Sequence, residues 1–463
     1  MTSRGTKRTL PGTDRAISPP PAKRKPKAEA SATSQTVANF FKPASQKTST
    51  QSTKKVSWQI VNNSCIVGKY LVGAKEEIQK EERKKIRIAA FDFDHTLITP
   101  KSNYRFSSSA SDWKWWDPSV PSKLRQLAAD GYTLIIVSNQ KGVSLKPAKA
   151  KTGNADSKSL VTLKEKVTAV LDALGLDVSV SMYAATAYDE YRKPRTGMWM
   201  QMVQDLGLDV DGDVDGMEPR LDLENSIFVG DAAGRKGDHS CCDRHFAANV
   251  GIPFKTPEEF FRDEQPVPMA ADVFDPKNYI ATTPTDGDDK TPFPFSKQSD
   301  TELVIFCGSP GSGKSTFYWK YLQPLGYERV NQDILKTRQK CLKVANEHLQ
   351  ACRSVVVDNT NANKSTREEW ISLAKTHNIP IRCIYLSTPI TVCKHNNAVR
   401  AANPNQESLN PESRTILPPM AFNDFVRRFE EPDVSEGFND LVRVGFQFDG
   451  GEEVKRIWGQ HWV

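Results

Sequence analysis

The chain has 463 residues, 38% hydrophobic, 26% charged and 9% aromatic, which is apolar material for roughly two to four domain cores. It has no run of about 18 apolar residues and no secretory apolar segment near Met1, which argues against an integral membrane or secreted protein. Its eight cysteines form neither a CxxC metal spacing nor a dense disulfide framework, and this fits a reducing compartment. The net charge of +7 is unevenly held. Residues 1–55 carry twelve Lys/Arg against two Asp/Glu, a net +10, so the rest of the chain carries −3. The basic excess therefore belongs to a tail and does not argue for a nucleic-acid-binding fold.

Residues 1–55 are rich in Ser, Thr, Pro and Lys and are expected to be disordered, since they cannot bury enough apolar surface to offset ordering entropy. Lys23-Arg24-Lys25-Pro26-Lys27 reads as a nuclear localisation signal, with a solubilising charge run as the plainer alternative. In Ser34–Phe41, Val37 and the pair Phe40-Phe41 stand alone in a polar tail. The segment resembles a sliding-clamp-binding box, although Ser34 stands where Gln is usual, and a chance aromatic pair is the plainer reading.

After a polar, helix-like stretch at 76–85, residues 86–91 form a short apolar run expected to be a buried strand. It ends in Asp92-Phe93-Asp94-His95-Thr96-Leu97. Two carboxylates at a strand end are costly unless chemistry uses them. The first can act as nucleophile and the second as general acid/base, with a divalent cation between them. Three later segments support that reading over a simple strand cap. The strand 131–140 ends in the small polar donors Ser138, Asn139 and Gln140. Lys193 offers an ammonium, and the strand 226–231 ends in Asp231, a carboxylate suited to Mg2+.

This order resembles the haloacid-dehalogenase-type phosphatases over residues 85–262. The resemblance implies Asp92 as nucleophile, Asp94 as acid/base, Ser138 and Lys193 as phosphate ligands, Asn139 near the substrate, and Mg2+ held by Asp92, Asp231 and the Asp94 backbone. His95 departs from the pattern, which usually has Gly there. The strings Arg192–Met198 and Val229–Arg235, with Asp243 and Phe246–Asn249, narrow the resemblance to the phosphatase half of the polynucleotide kinase/3′-phosphatase family. Lys141, Lys146, Lys149, Lys151 and Lys158 make the insert after Gln140 a solvated loop by default, with a substrate-backbone grip as the alternative. Trp113, Trp115 and Trp116 are expected to pack under an active-site loop rather than stack on bases.

Residues 266–294 contain six prolines and no sustained periodicity, so 266–300 is expected to be a linker between domains at 56–265 and 301–463. The apolar run 302–307 leads directly into Gly308-Ser-Pro-Gly311-Ser-Gly313-Lys314-Ser315-Thr316. This is a complete phosphate loop in its strand–loop–helix setting: backbone N–H groups hold the phosphates of ATP, Lys314 bridges the terminal ones and Ser315 orders Mg2+. Asp333 follows a short apolar stretch and can take a proton from an attacking hydroxyl. Arg400 can serve a lid, and Asp358 ends another strand. A helix cap and a solvated helix face are the plain alternatives for Asp333 and Arg400.

Together these segments resemble the kinase half of the same family, in a form without the phosphopeptide-binding N-terminal module. The resemblance implies Asp333 as general base, Asp358 and Arg367 near the 5′-hydroxyl end, and Arg400 as lid arginine. The fold expected is α/β, with two doubly wound parallel-sheet domains. The function expected is healing of DNA strand-break termini by a nuclear, monomeric, membrane-free enzyme. Healing of RNA ends, or a clamp-docked scaffold with degenerate sites, is the alternative.

Overall fold

In the computed structural model the apolar runs become central strands whose polar ends gather at one edge of each sheet. The structure describes residues 55–71, 85–102, 104, 107, 109–146, 148–150, 153–208, 221–282, 295–406, 409 and 412–463. The basic cluster, the clamp-like box and nearly all of the polar stretch 76–85 lie outside the described residues. Residues 54–463 form one compact unit.

Among the described residues eleven strands precede residue 260: β1 (Lys55–Val61), β2 (Cys65–Leu71), β3 (Arg87–Phe91), β4 (Ile98–Thr99), β5 (Lys114–Trp115), β6 (Tyr132–Asn139), β7 (Ala148–Ala150), β8 (Gly153–Ala155), β9 (Val180–Ala185), β10 (Ile227–Val229) and β11 (Phe254–Lys255). Seven of them make one sheet in the order β1-β2-β9-β6-β3-β10-β11. It is parallel from β9 to β11. Successive residues of the central strands point to opposite faces, so both faces are apolar. Ala89, Phe91, Leu134 and Ile136 pack against Leu124 and the helix Lys158–Leu174, while Ile88, Ala90, Ile135 and Val137 pack against Met198, Met202 and Phe246. That is the doubly wound arrangement expected.

The antiparallel hairpin β1–β2, which pairs with β9, is an addition to the expected fold. Asn62 (φ 46°) and Asn63 (φ 54°) make its turn, a left-handed conformation that Asn tolerates better than most residues. Gly68 lies opposite Trp58, whose ring would stand 2.5 Å from any Cβ at that position. Trp113, Trp115 and Trp116 pack against the core on one face of this sheet, with Trp116 6.0 Å from Phe261 between ring centroids.

The second sheet is fully parallel, in the order β13-β14-β12-β15-β16, built from β12 (Leu303–Cys307), β13 (Glu328–Val330), β14 (Val355–Val357), β15 (Ile381–Leu386) and β16 (Asp440–Val444). Winding reverses at β12, whose neighbours β14 and β15 lie on opposite sides. The crevice outside its carboxyl end is where ligands of such sheets bind.

One connection departs from the sequence reading. Part of the expected linker is a helix, Pro276–Thr282, and Ile280 is buried with Val392, Val399 and Trp458, while Phe274 meets His395 at 5.2 Å. Its aromatic and aliphatic residues share one face, which gives this short Pro-flanked segment a core to join. The chain end also docks across the molecule. Asn249 Nδ2 donates to the His461 carbonyl (2.7 Å), Asn249 Oδ1 accepts from the His461 N–H (2.8 Å), and the His245 and His461 rings stack at 3.6 Å. No described helix is long and apolar enough to cross a membrane.

Candidate active sites

The first site forms where β3, β6 and β10 end. Lys193 is 3% exposed, and its ammonium lies 2.6 Å from Asp92 Oδ1, 2.7 Å from Asp243 Oδ1 and 2.8 Å from the Val137 carbonyl. Carboxylate oxygens of Asp92, Asp231 and Asp243 all lie within 4.8 Å of one another. Burial pushes the Asp92 carboxyl up to about 7, with Lys193 opposing the rise and Asp243 and Asp94 adding to it. Burial and the charges of Asp92 and Asp243 push Asp231 up to about 8. Burial disfavours the Lys193 ammonium, but Asp243 and Asp92 outweigh that and hold its pKa above the usual lysine value.

An all-oxygen set of converging, mutually repelling carboxylates fits a hard divalent cation, which would relieve the repulsion. The sign of the pH dependence follows. The native state binds the protons of Asp92 and Asp231 more tightly than the unfolded chain does, so cation-free stability should fall as pH rises from about 4 to about 8. In chelator, the melting temperature should drop between pH 5 and pH 8, and added Mg2+ should raise it more at pH 8. Equal gains at both pH values would contradict this arrangement.

The remaining predicted groups of this site gather around that centre. Gln140 Nε2 donates to Asp94 Oδ2 (2.7 Å) and contacts Ser138 Oγ (3.0 Å). Asn139 exchanges hydrogen bonds with the Lys193 backbone, at 3.0 and 3.2 Å, and so positions the lysine. His95 has φ 61°, which is why glycine suits that position; its N–H still closes the loop onto the Ile98 carbonyl at 2.7 Å. Asp243 and Gln140 join the site with roles that the sequence reading does not assign: there Gln140 is one of the polar donors ending its strand, and Asp243 belongs only to the family resemblance. Asp243 sits at the start of the helix Cys242–Val250, twelve residues beyond Asp231 and without a motif of its own. One signal for it is Gly230, where any Cβ would lie 2.4 Å from the Asp243 carboxylate.

The second site opens at the carboxyl end of β12, in a cleft of about 1780 Å3. Gly311 (φ 76°) and Gly313 (φ 98°) hold left-handed backbone, and a Cβ at Gly311 would meet the Cys393 carbonyl at 2.3 Å. With Gly308, they let the loop curl around Lys314, whose Nζ donates to the Gly308 and Ser309 carbonyls (2.9 and 2.6 Å). Burial lowers the Lys314 pKa. Ser315 Oγ donates to Asp358 Oδ2 (2.9 Å), and Thr316 lines the cleft.

Asp358 therefore stands against the serine of the phosphate loop. Arg329 Nε also reaches Asp358, at 2.8 Å, and Arg329 joins Glu412 at 2.6 Å. The exposed carboxylate of Asp333 lines the same cleft, 3.2 Å from Arg414 Nη1, while Arg414 Nη2 contacts Ser315 Oγ. Arg400 lines the cleft as well, held by Asn397 (3.4 Å), with its buried Nε lacking a hydrogen-bond partner among the described residues. Arg329, Glu412 and Arg414 belong to no spaced motif, and no sequence signal marks them.

Arg367 is a correction. It is wholly buried, paired to both carboxylate oxygens of Glu436 (2.6 and 2.8 Å), and donates to the backbone carbonyls of Asn361, Ala362 and Glu430. Its guanidinium has no exposed surface through which to reach a substrate. Arg367→Ala would strand Glu436 in the interior, and by unfolding measurements should cost about 3–5 kcal/mol.

The two sheets and the chemistry at their edges define a chain with a carboxylate-centred phosphatase site and a phosphate-loop kinase site. The family model "Polynucleotide kinase 3 phosphatase" matches residues 87–261, and an "AAA domain" model matches 303–432. The chain is 39% identical over 403 residues to a bifunctional polynucleotide phosphatase/kinase of Schizosaccharomyces pombe, covering 87% of this chain and 88% of that protein. A putative bifunctional polynucleotide phosphatase/kinase of Acanthamoeba polyphaga mimivirus is 33% identical, with 79% of this chain and 86% of that protein covered. A polynucleotide 3′-phosphatase of Saccharomyces cerevisiae matches 38% of this chain at 30% identity, across 87% of its own length. This chain belongs to the bifunctional polynucleotide phosphatase/kinase family.

Proposed function

We propose that the chain heals broken DNA ends, removing 3′-phosphates at the Asp92 site and phosphorylating 5′-hydroxyls at the phosphate loop. The observation that carries this is the occurrence of both sites in one compact unit. One holds an ammonium and three carboxylates at the end of β3, and the other a complete phosphate loop at the end of β12.

At the first site the Asp92 carboxylate attacks the phosphorus, and Asp94 gives its proton to the departing 3′-oxygen. Water then attacks the aspartyl-phosphate while Asp94 takes a proton back. Lys193 opposes the protonation of Asp92 and balances charge on the phosphoryl oxygens, with Ser138 beside them. Asp92, Asp231 and the Asp94 backbone would hold Mg2+, with Asp243 completing the carboxylate set, and the ion would supply neutralisation of phosphate charge. At the second site the loop N–H groups and Lys314 hold the phosphates of ATP, and Ser315 beside Asp358 suits its Mg2+. Asp333 takes the proton of the 5′-hydroxyl, and Arg400 and Arg414 balance the charge of the moving phosphoryl group. We place the enzyme in the nucleus and leave clamp docking through Ser34–Phe41 as a separate binding question.

Single-turnover assays on 3′-phosphorylated and 5′-hydroxyl oligonucleotides, in DNA and RNA forms, test this reading. Mg2+-dependent phosphate release and γ-phosphoryl transfer from ATP, both favouring DNA, are expected; inactivity on both DNA ends would overturn it.

A further inference from the structure

Tyr188 is a surface aromatic, 53% exposed, on the loop that leads from β9 to Lys193. Two cations are seated on its ring. Lys141 Nζ lies 4.7 Å from the centroid and donates to the phenol oxygen at 3.1 Å, and the Arg192 guanidinium lies 4.4 Å from the centroid. The two charges are thus no farther apart than the sum of those distances. Neither makes an ion pair among the described residues, and one Arg192 nitrogen is buried without a hydrogen-bond partner. Of the neighbouring carboxylates, Asp189 and Glu190, neither forms an ion pair with these cations among the described residues, and Asp189 accepts from the Tyr191 N–H (3.1 Å). Arg195 holds the loop by donating to the Tyr188 and Asp189 carbonyls (3.1 and 2.6 Å).

Two unneutralised like charges brought to one ring raise the energy of the empty surface, and an arriving anion lowers it. Their place identifies the anion. Lys141 follows Gln140, which holds Asp94, and Arg192 precedes Lys193, which holds Asp92. We infer that Lys141 and Arg192, positioned by the Tyr188 ring, receive a backbone phosphodiester of the strand whose 3′-phosphate lies at Asp92. This rests on the phosphatase reading above and adds the group that distinguishes a nucleic-acid strand from a small phosphate ester. Tyr188 acts as a positioning residue: its ring seats the cations and its hydroxyl anchors Lys141.

The test compares the intact chain with its Lys141→Gln, Tyr188→Ala and Tyr188→Phe variants on a 3′-phosphorylated oligonucleotide and on p-nitrophenyl phosphate. Lys141→Gln should lower the ratio of oligonucleotide to aryl-phosphate kcat/KM about tenfold, chiefly through the oligonucleotide KM. It should also flatten the log–log salt dependence for the oligonucleotide by about 0.7, the contribution of one single-strand phosphate contact. Tyr188→Ala should behave like Lys141→Gln, and Tyr188→Phe, which keeps the ring, should recover most of the loss. An unchanged ratio or salt slope in Lys141→Gln, or Tyr188→Phe as impaired as Tyr188→Ala, overturns the inference. If the unaltered chain releases no phosphate from the oligonucleotide while hydrolysing the aryl ester, the phosphatase reading itself fails.

Discussion

Asp92→Asn should abolish 3′-phosphate release, by roughly 10,000-fold or more, while leaving γ-phosphoryl transfer to a 5′-hydroxyl intact. The amide keeps the shape of the carboxylate but cannot form the phosphoryl ester. Lys193 keeps its second partner, Asp243 at 2.7 Å, so its buried ammonium is not stranded. Burial already pushes the Asp92 carboxyl up to about 7, so a neutral side chain there fits the cation-free fold better than an ionised one. The melting temperature in chelator should therefore hold or rise. An equal loss of both activities in this variant, with the fold intact, would refute two independent centres.

Lys314→Ala should have the reverse effect, cutting phosphoryl transfer about 100- to 1,000-fold and sparing phosphate release. In the structure the Lys314 ammonium is turned onto the Gly308 and Ser309 carbonyls, a compact arrangement that satisfies a buried charge within the loop. Burial lowers its pKa, so the ammonium gains most when an anion joins it. The variant should accordingly lose nucleotide affinity, read by calorimetric titration with ATP, as well as turnover. Retained ATP affinity together with retained turnover would remove Lys314 from the site.

The parts of this account legible in the sequence are those where one local segment carries both a fold signal and a chemical one. Apolar runs ending in Asp92, in Ser138–Asn139 and in Asp231 predicted strands and site together, because a buried parallel strand must be apolar and its carboxyl end is where ligands collect. The glycine spacing of 308–316 worked the same way. What could not be read depended on distant segments meeting. Asp243 joins the carboxylates only because its helix packs behind β10, and Arg329 on one side and Glu412 and Arg414 on another converge on the phosphate loop from two separate segments. Arg367 was misplaced for the same reason. Only the family resemblance puts Arg367 near the substrate, and the fold sets Glu436 against it. The hairpin β1–β2 escaped notice because it begins at Lys55, where the basic tail was expected to end. The helix Pro276–Thr282 lay hidden in a proline-rich stretch until a second core offered its apolar face a place.

The chain end docks on the helix Cys242–Val250 through Asn249, His245 and His461, and both sites lie in one compact unit. A strand break that leaves a 3′-phosphate and a 5′-hydroxyl needs both corrected before ligation, and a single chain carries both sites to the same lesion. The most direct test is incubation of the full chain with a nicked DNA duplex bearing those two termini, ATP and Mg2+, followed by ligation. The account predicts that both ends are converted and the nick seals, with Asp92→Asn leaving the 3′-phosphate and Lys314→Ala leaving the 5′-hydroxyl. Termini left unchanged by the unaltered chain, or one variant blocking both conversions, would contradict it.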